Sequence, residues 1–169
     1  MEKNATPFYD ASVDTTGCCP KFNTEGWDDQ VLHFEDKPFV RAETRAAMHV
    51  PLNMGSVFSR VFKHILDQGA VDVSHSLVLS QDLSPWKGEH LFAVDKPVEG
   101  EEMTKLSGDF LTKVFEGPYR DAKGWYGEMK EAVTARGKTP GRIYFFYTTC
   151  PKCAKVYGKN YVVGVAEML

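Results

Sequence analysis

The chain predicts an α+β fold: two βαββ repeats forming one antiparallel sheet, with two helices on one face and an N-terminal arm in front. Three observations predict it. Helical periodicity is confined to two stretches, residues 54–69 and 118–137. Each is preceded by strand-like sequence and followed by two short strand-like runs. The first 28 residues show no period at all, so the arm is read as 1–28 and a single domain as 29–169, with repeats at about 30–98 and 104–169.

Each element rests on local chemistry. "VDTTGCCPKFNTEGWDD" is rich in Thr, Gly, Pro and Asp and reads as loop. "VLHFEDKPFVRAETRAA" reads as strand pieces around a Lys-Pro turn; in its second part Val40, Ala42, Thr44 and Ala46 alternate with Arg41, Glu43 and Arg45. In "MGSVFSRVFKHILDQG", Val57, Phe58, Val61, Phe62, Ile65 and Leu66 build one apolar stripe of a helix, with Asn53 or Ser56 suited to cap it and Gly69 to end it. "SLVLSQ" and "EHLFAV" read as strands joined by the turn-rich "DLSPWKG". "DKPVEGEEMTKLSG" reads as an acidic loop between the halves, and "DFLTKVFEG" as the strand that follows. Pro118 suits the first turn of the second helix and Gly137 its C′ position; Ala122, Trp125, Tyr126, Met129, Ala132 and Val133 form its stripe. "RIYFFYTT" and "YVVGVAEM" close the chain as strands around C-P-K-C.

Composition narrows the function classes. Apolar residues make up 43% of 169 and charged residues 25%, as in a soluble globular domain, and the net charge is −3. No Lys/Arg run occurs, so nucleic acid and anionic membrane are not expected partners. No apolar run approaches the ~20 residues of a membrane span, and the opening residues lack a continuous apolar segment of a secretory signal. The expected compartment is the cytoplasm, where thiols stay reduced.

With the element order in hand, "KVFEGPYRDAKGWYGEM" (residues 113–129) resembles the aromatic strand, Gly-Pro-Tyr turn and helix of GyrI-like proteins, of SOUL/GyrI type. The resemblance implies a stand-alone small-molecule-binding domain. It is similar both to the effector-binding modules of multidrug-responsive regulators and to hydrolases of cyclopropane-bearing alkylating compounds. The implied ligand, hydrophobic or aromatic, sits in a groove between the two repeats. Many members carry a glutamate in the final strand; here Tyr161 or Val162 falls near that position, and Glu167 lies too far along.

Several residues could carry such chemistry. Glu116, at a strand end before a helix, is a candidate water-activating base if desolvated and a solvated turn residue otherwise. Tyr119 and Trp125 could stack on a flat ligand, although a helix-stripe Trp is also ordinary core. Trp86 sits on a connector. His49 and Asn53 occupy the place in the first half that Glu116 and Tyr119 occupy in the second. Glu89 and His90 alternate along a strand, so only one faces inward and they do not make a pair. Both faces of "RIYFFYTT" are aromatic, Tyr144 and Phe146 on one and Phe145 and Tyr147 on the other; the arm is expected to cover one of them with Trp27, Phe22 and Phe8.

Cys150 and Cys153 form a single C-x-x-C, and Cys18 and Cys19 are adjacent on the arm. Three readings stand open: free thiols, a zinc site that needs the arm's cooperation, or a redox pair. The redox reading asks for a helix N-terminus, and "AKVYGKN" leaves room for one turn at most.

Overall fold

A computed structural model describes residues 2–169. The strands are β1 (Val31–Ala47), β2 (Val50–Pro51), β3 (Val78–Ser84), β4 (Lys87–Ala93), β5 (Glu102–Glu116), β6 (Pro140–Tyr147) and β7 (Tyr161–Met168); the helices are α1 (Met54–Asp67), α2 (Ala122–Ala135) and α3 (Pro151–Tyr157). Among the described residues no helix is long and apolar enough to cross a membrane.

The sheet differs from an open layer. Every strand pair is antiparallel, and the order β1-β4-β3-β6-β7-β5 returns to β1, so six strands close into a barrel-like ring. β2 extends only the end of β1. Closure is possible because β1 is 17 residues long and pairs with β5 along one edge and β4 along the other, sharing Phe39–Arg41 between them. The two strand pieces expected here are thus one strand. What reads as a turn is a β-bulge between Phe34 and Lys37, with Asp36 at φ 49°. The bulge shifts the side-chain parity, so Phe34 and Phe39 meet on one face, their rings 5.8 Å apart. The acidic loop is also shorter than its composition suggests. β5 begins at Glu102, because Glu102–Leu106 pairs with β1 while Glu102 and Lys105 stay exposed.

The two long helices, α1 and α2, pack on the same face of the ring. Ser80 pairs with His90 on one side and Phe145 on the other. Phe58 and Phe62 of α1 pack on His90 and Phe92, while Trp125 of α2 stacks on Phe115 and leans on Phe145. Gly164 permits this approach: a Cβ there would lie 2.5 Å from Met129 Sδ. Six strands enclose room for side chains only, so the helices are outside. The interior is filled by Leu32, Phe39, Leu79, Leu91, Phe110, Tyr144, Phe146, Val163 and Val165, all buried.

The arm closes one end of this interior. Trp27, wholly buried, packs 5.4 Å from Phe146, and Phe22 and Tyr9 pack on the same ring. Trp27 Nε1 donates to Phe8 O, Tyr9 Oη donates to Thr148 O, and Thr112 Oγ1 donates to Trp27 O. Phe8, expected to share in the cover, instead stays exposed beside His75, and Tyr9 takes its place.

Trp27→Ala should cost ~3–5 kcal/mol of unfolding free energy, the usual price of emptying a large aromatic site. Chemical denaturation followed by circular dichroism measures it; a loss below ~1 kcal/mol would mean that the arm is not part of the cooperative unit.

Candidate functional site

Glu116 and Tyr119 come together. They line an open depression of about 420 Å³ with Gly117, Pro118, Pro151, Ala154, Lys155, Gly158, Lys159 and Asn160. Three local devices shape it. The end of β5 is clamped to the start of β7, Gly117 N donating to Asn160 O and Asn160 Nδ2 to Gly117 O, at 3.1 and 2.7 Å. Tyr119 Oη donates to Thr149 O, tying the turn to the end of β6, and burial pushes the phenol up to about 12. The third is α3, where a bare hairpin was expected. Pro151 fits its first turn and Gly158, in the left-handed conformation, ends it.

The carboxylate is not sequestered: in the open depression Glu116 is the solvated turn residue of the two readings, and only a substrate covering it would take it out of water. Glu116 has 52% of its side chain exposed and lies 3.6 Å from Lys159 Nζ, whose pKa it raises. Walls of the depression are apolar at Pro118, Pro151 and Ala154. Asn160 Oδ1 is buried and has no hydrogen-bond partner among the described residues.

The other residues singled out from sequence do not line this depression. His49 is exposed at φ 68°, its Nδ1 2.6 Å from Asp82 Oδ2. Asn53 is the N-cap residue of α1, and its Oδ1 accepts from Arg45 N at 2.7 Å. Trp86 is exposed at the β3–β4 turn. Trp125 is core, stacked on Phe115 at 5.3 Å. Tyr144 and Phe146 fill the ring interior, and Tyr161 lies half-buried beside Phe22.

Sequence reasoning passed over a buried polar triple. His90 Nδ1 lies 2.7 Å from Ser80 Oγ, and Nε2 lies 2.8 Å from Thr44 Oγ1. Burial lowers the imidazole to about 4, so the ring is neutral at pH 7, accepting from one hydroxyl and donating to the other. Gly88 makes the arrangement possible: a Cβ there would fall 2.7 Å from Thr44 Oγ1. The sequence shows Ser80 and His90 ten residues apart, and only the β3–β4 register makes them partners. Glu89, on the opposite face, joins Arg41 at 2.6 Å and Gln81 at 2.8 Å; Arg41 also holds Glu43 and Glu102. Glu167 is likewise taken up, by a two-pronged pair with Arg142 at 2.9 and 3.0 Å.

All four cysteines converge. The Sγ atoms of Cys18, Cys19, Cys150 and Cys153 lie within 4.8 Å of one another, and none is in a disulfide. Cys150 caps the N-terminus of α3 and Cys153 sits one turn inside it, buried. The Thr16 hydroxyl, 3.3 Å from Cys153 Sγ, is the main cause that lowers this thiol to about 7, while burial raises Cys19. Four thiols in this arrangement could bind a metal.

A family model described as Bacterial hydrolase matches residues 9–168, a span that takes in most of the arm, both cysteine pairs and every strand. No curated protein matches the chain.

The neutral His90 has a pH signature. The unfolded chain protonates near 6.5, whereas the folded chain resists protonation down to about 4. Its contribution to stability is therefore present above pH 6.5 and lost as pH falls from there to 4, by on the order of 3 kcal/mol. Denaturant midpoints across that window should flatten in His90→Gln; an unchanged slope would remove His90 as the cause.

Proposed function

The chain belongs to the bacterial hydrolase family, and from that premise we propose that it hydrolyses a small, largely apolar molecule held in the depression between the end of β5 and α3. The observation that carries this reading is the Glu116 carboxylate at the rim of a mostly apolar hollow, 3.6 Å from an ammonium. Glu116 takes a proton from water, and the resulting hydroxide adds to an electrophilic carbon of the substrate. The bond to the leaving group breaks, and Lys159 supplies that group's proton. Glu116 raises the pKa of this ammonium while the carboxylate is charged; once Glu116 has taken the proton from water that hold is gone, and Lys159 becomes the stronger acid. Glu116 and Lys159 then exchange a proton to restore the starting state. Pro118, Pro151 and Ala154 supply the apolar wall and the Tyr119 ring one side.

The element order supports the class of substrate. We read β1-α1-β3-β4 and β5-α2-β6-β7 as two βαββ units, the layout of the GyrI-like proteins that the 113–129 segment resembles. On that reading a small hydrophobic or aromatic molecule, of reactive and planar type, is the substrate. A second reading, binding without turnover, uses the same wall residues and is favoured by the exposure of Glu116.

Glu116→Gln separates them. Hydrolysis of a panel of activated esters and cyclopropane-bearing alkylating compounds should fall ~10²–10⁴-fold in kcat, as expected on losing a general base, while affinity for the same compounds changes little. Turnover retained in Glu116→Gln and lost in Ser80→Ala would move the chemistry to the Ser80–His90 pair. No turnover by the unmodified chain, with binding intact, would leave the binding module.

A further inference from the structure

We propose that Cys18, Cys19, Cys150 and Cys153 are the four ligands of one structural zinc ion, which fastens the N-terminal arm to α3. A tetrahedral zinc with bonds of about 2.3 Å to sulfur sets its four sulfurs about 3.8 Å apart. The Cys18 and Cys19 sulfurs are 3.7 Å apart, and all four sulfurs fit within 4.8 Å. Adjacent cysteines rarely reach one metal, and here the backbone is shaped so that they do. Asp14 Oδ1 accepts from Thr16 N and Gly17 N, and Thr16 Oγ1 accepts from Cys18 N and Cys19 N, folding residues 14–19 into a tight loop. Cys150 N lies 3.5 Å from Cys19 Sγ, an N–H directed at sulfur that steadies a thiolate.

The donor set narrows the metal to zinc or iron, and zinc, which has no redox chemistry, is the one that serves structure alone. Four soft thiolates in a tetrahedron suit zinc and leave no position for water or substrate, so the ion holds structure and the hydrolytic reading above does not depend on it. Around the sulfurs the arm and helix are already joined: Tyr157 Oη donates to Cys19 O at 2.6 Å, and Thr15 N donates to Tyr157 Oη at 3.3 Å. Zinc would make that junction permanent in a reducing environment, where a disulfide would not last.

Cobalt(II) reports the site directly. Titrated into the reduced, metal-stripped full chain, it should give a thiolate-to-cobalt charge-transfer band and the intense visible bands of tetrahedral cobalt, saturating at one ion per chain and bleaching when zinc is added. Native mass spectrometry of the freshly purified chain should show one zinc, released by a strong chelator. Tryptic cleavage after Lys21 should slow by about tenfold or more with zinc, since the ion binds only the docked arm. Cys19→Ser and Cys153→Ser should lose the tetrathiolate spectrum, while Glu116→Gln keeps it. A pale octahedral cobalt spectrum would overturn the proposal, as would thiol-reagent reactivity unchanged by zinc, or isolation with a Cys18–Cys19 or Cys150–Cys153 disulfide that re-forms after reduction. The cobalt titration needs no variant, so a mutant that fails to fold does not obscure the outcome.

Discussion

One buried ring organises the N-terminal arm of this protein. Phe146 stands near the end of β6, on the face turned into the strand ring, and the aromatic rings packed on it all come from the arm. Trp27, Phe22 and Tyr9 do so, each within about 6 Å of that ring. Once those aromatics are in place, the intervening residues have little freedom. Cys18 and Cys19 lie four and three positions before Phe22, so seating Phe22 delivers both thiols to the start of α3. Thr148, which accepts the Tyr9 hydroxyl, is two residues before Cys150. The cysteine cluster thus follows from aromatic packing, and metal binding can add to an arrangement that hydrophobic burial has already formed.

The same stretch borders both the cysteine cluster and the depression, on opposite sides of one short helix. Cys150 and Cys153 face the arm, whereas Pro151, Ala154 and Lys155 face the depression beside Glu116. α3 is only seven residues long and would be marginal alone. Its Pro151 start, its Gly158 end and the Tyr157 contacts with the arm hold it. Anything that stiffens the thiol side therefore also fixes the wall of the depression.

The sequence was informative where periodicity and local chemistry decide structure. Both long helices were legible from their stripes, as were the flanking strands, the aromatic doubling of β6 and its cover by Trp27 and Phe22. It was misleading where a pairing partner decides. Residues 102–108 look like acidic loop because only one edge of β5 is dry there, and "EDKP" looks like a turn because a bulge and a turn use the same residues. Ring closure is set by the length of β1, which no local window reveals. That Glu116 and Tyr119 lie together was legible because they flank a recognisable strand-to-helix turn. Ser80 and His90 were not, because their partnership exists only through strand register, and α3 was missed because a two-turn helix gives too few residues for a period to show.

The ring has one weak link. Five of its six seams are long ladders, but β3 and β6 share a single register pair, Ser80 with Phe145. Amides along that seam are the ones whose exchange with solvent requires the least of the molecule to open. Parting there splits the ring into two three-stranded leaves hinged along the β1–β5 seam, and it uncovers two unpaired strand edges. Breathing of this protein is thereby channelled into one slot, directly beside Ser80 and His90, the buried pair that is otherwise out of reach of any molecule in solution.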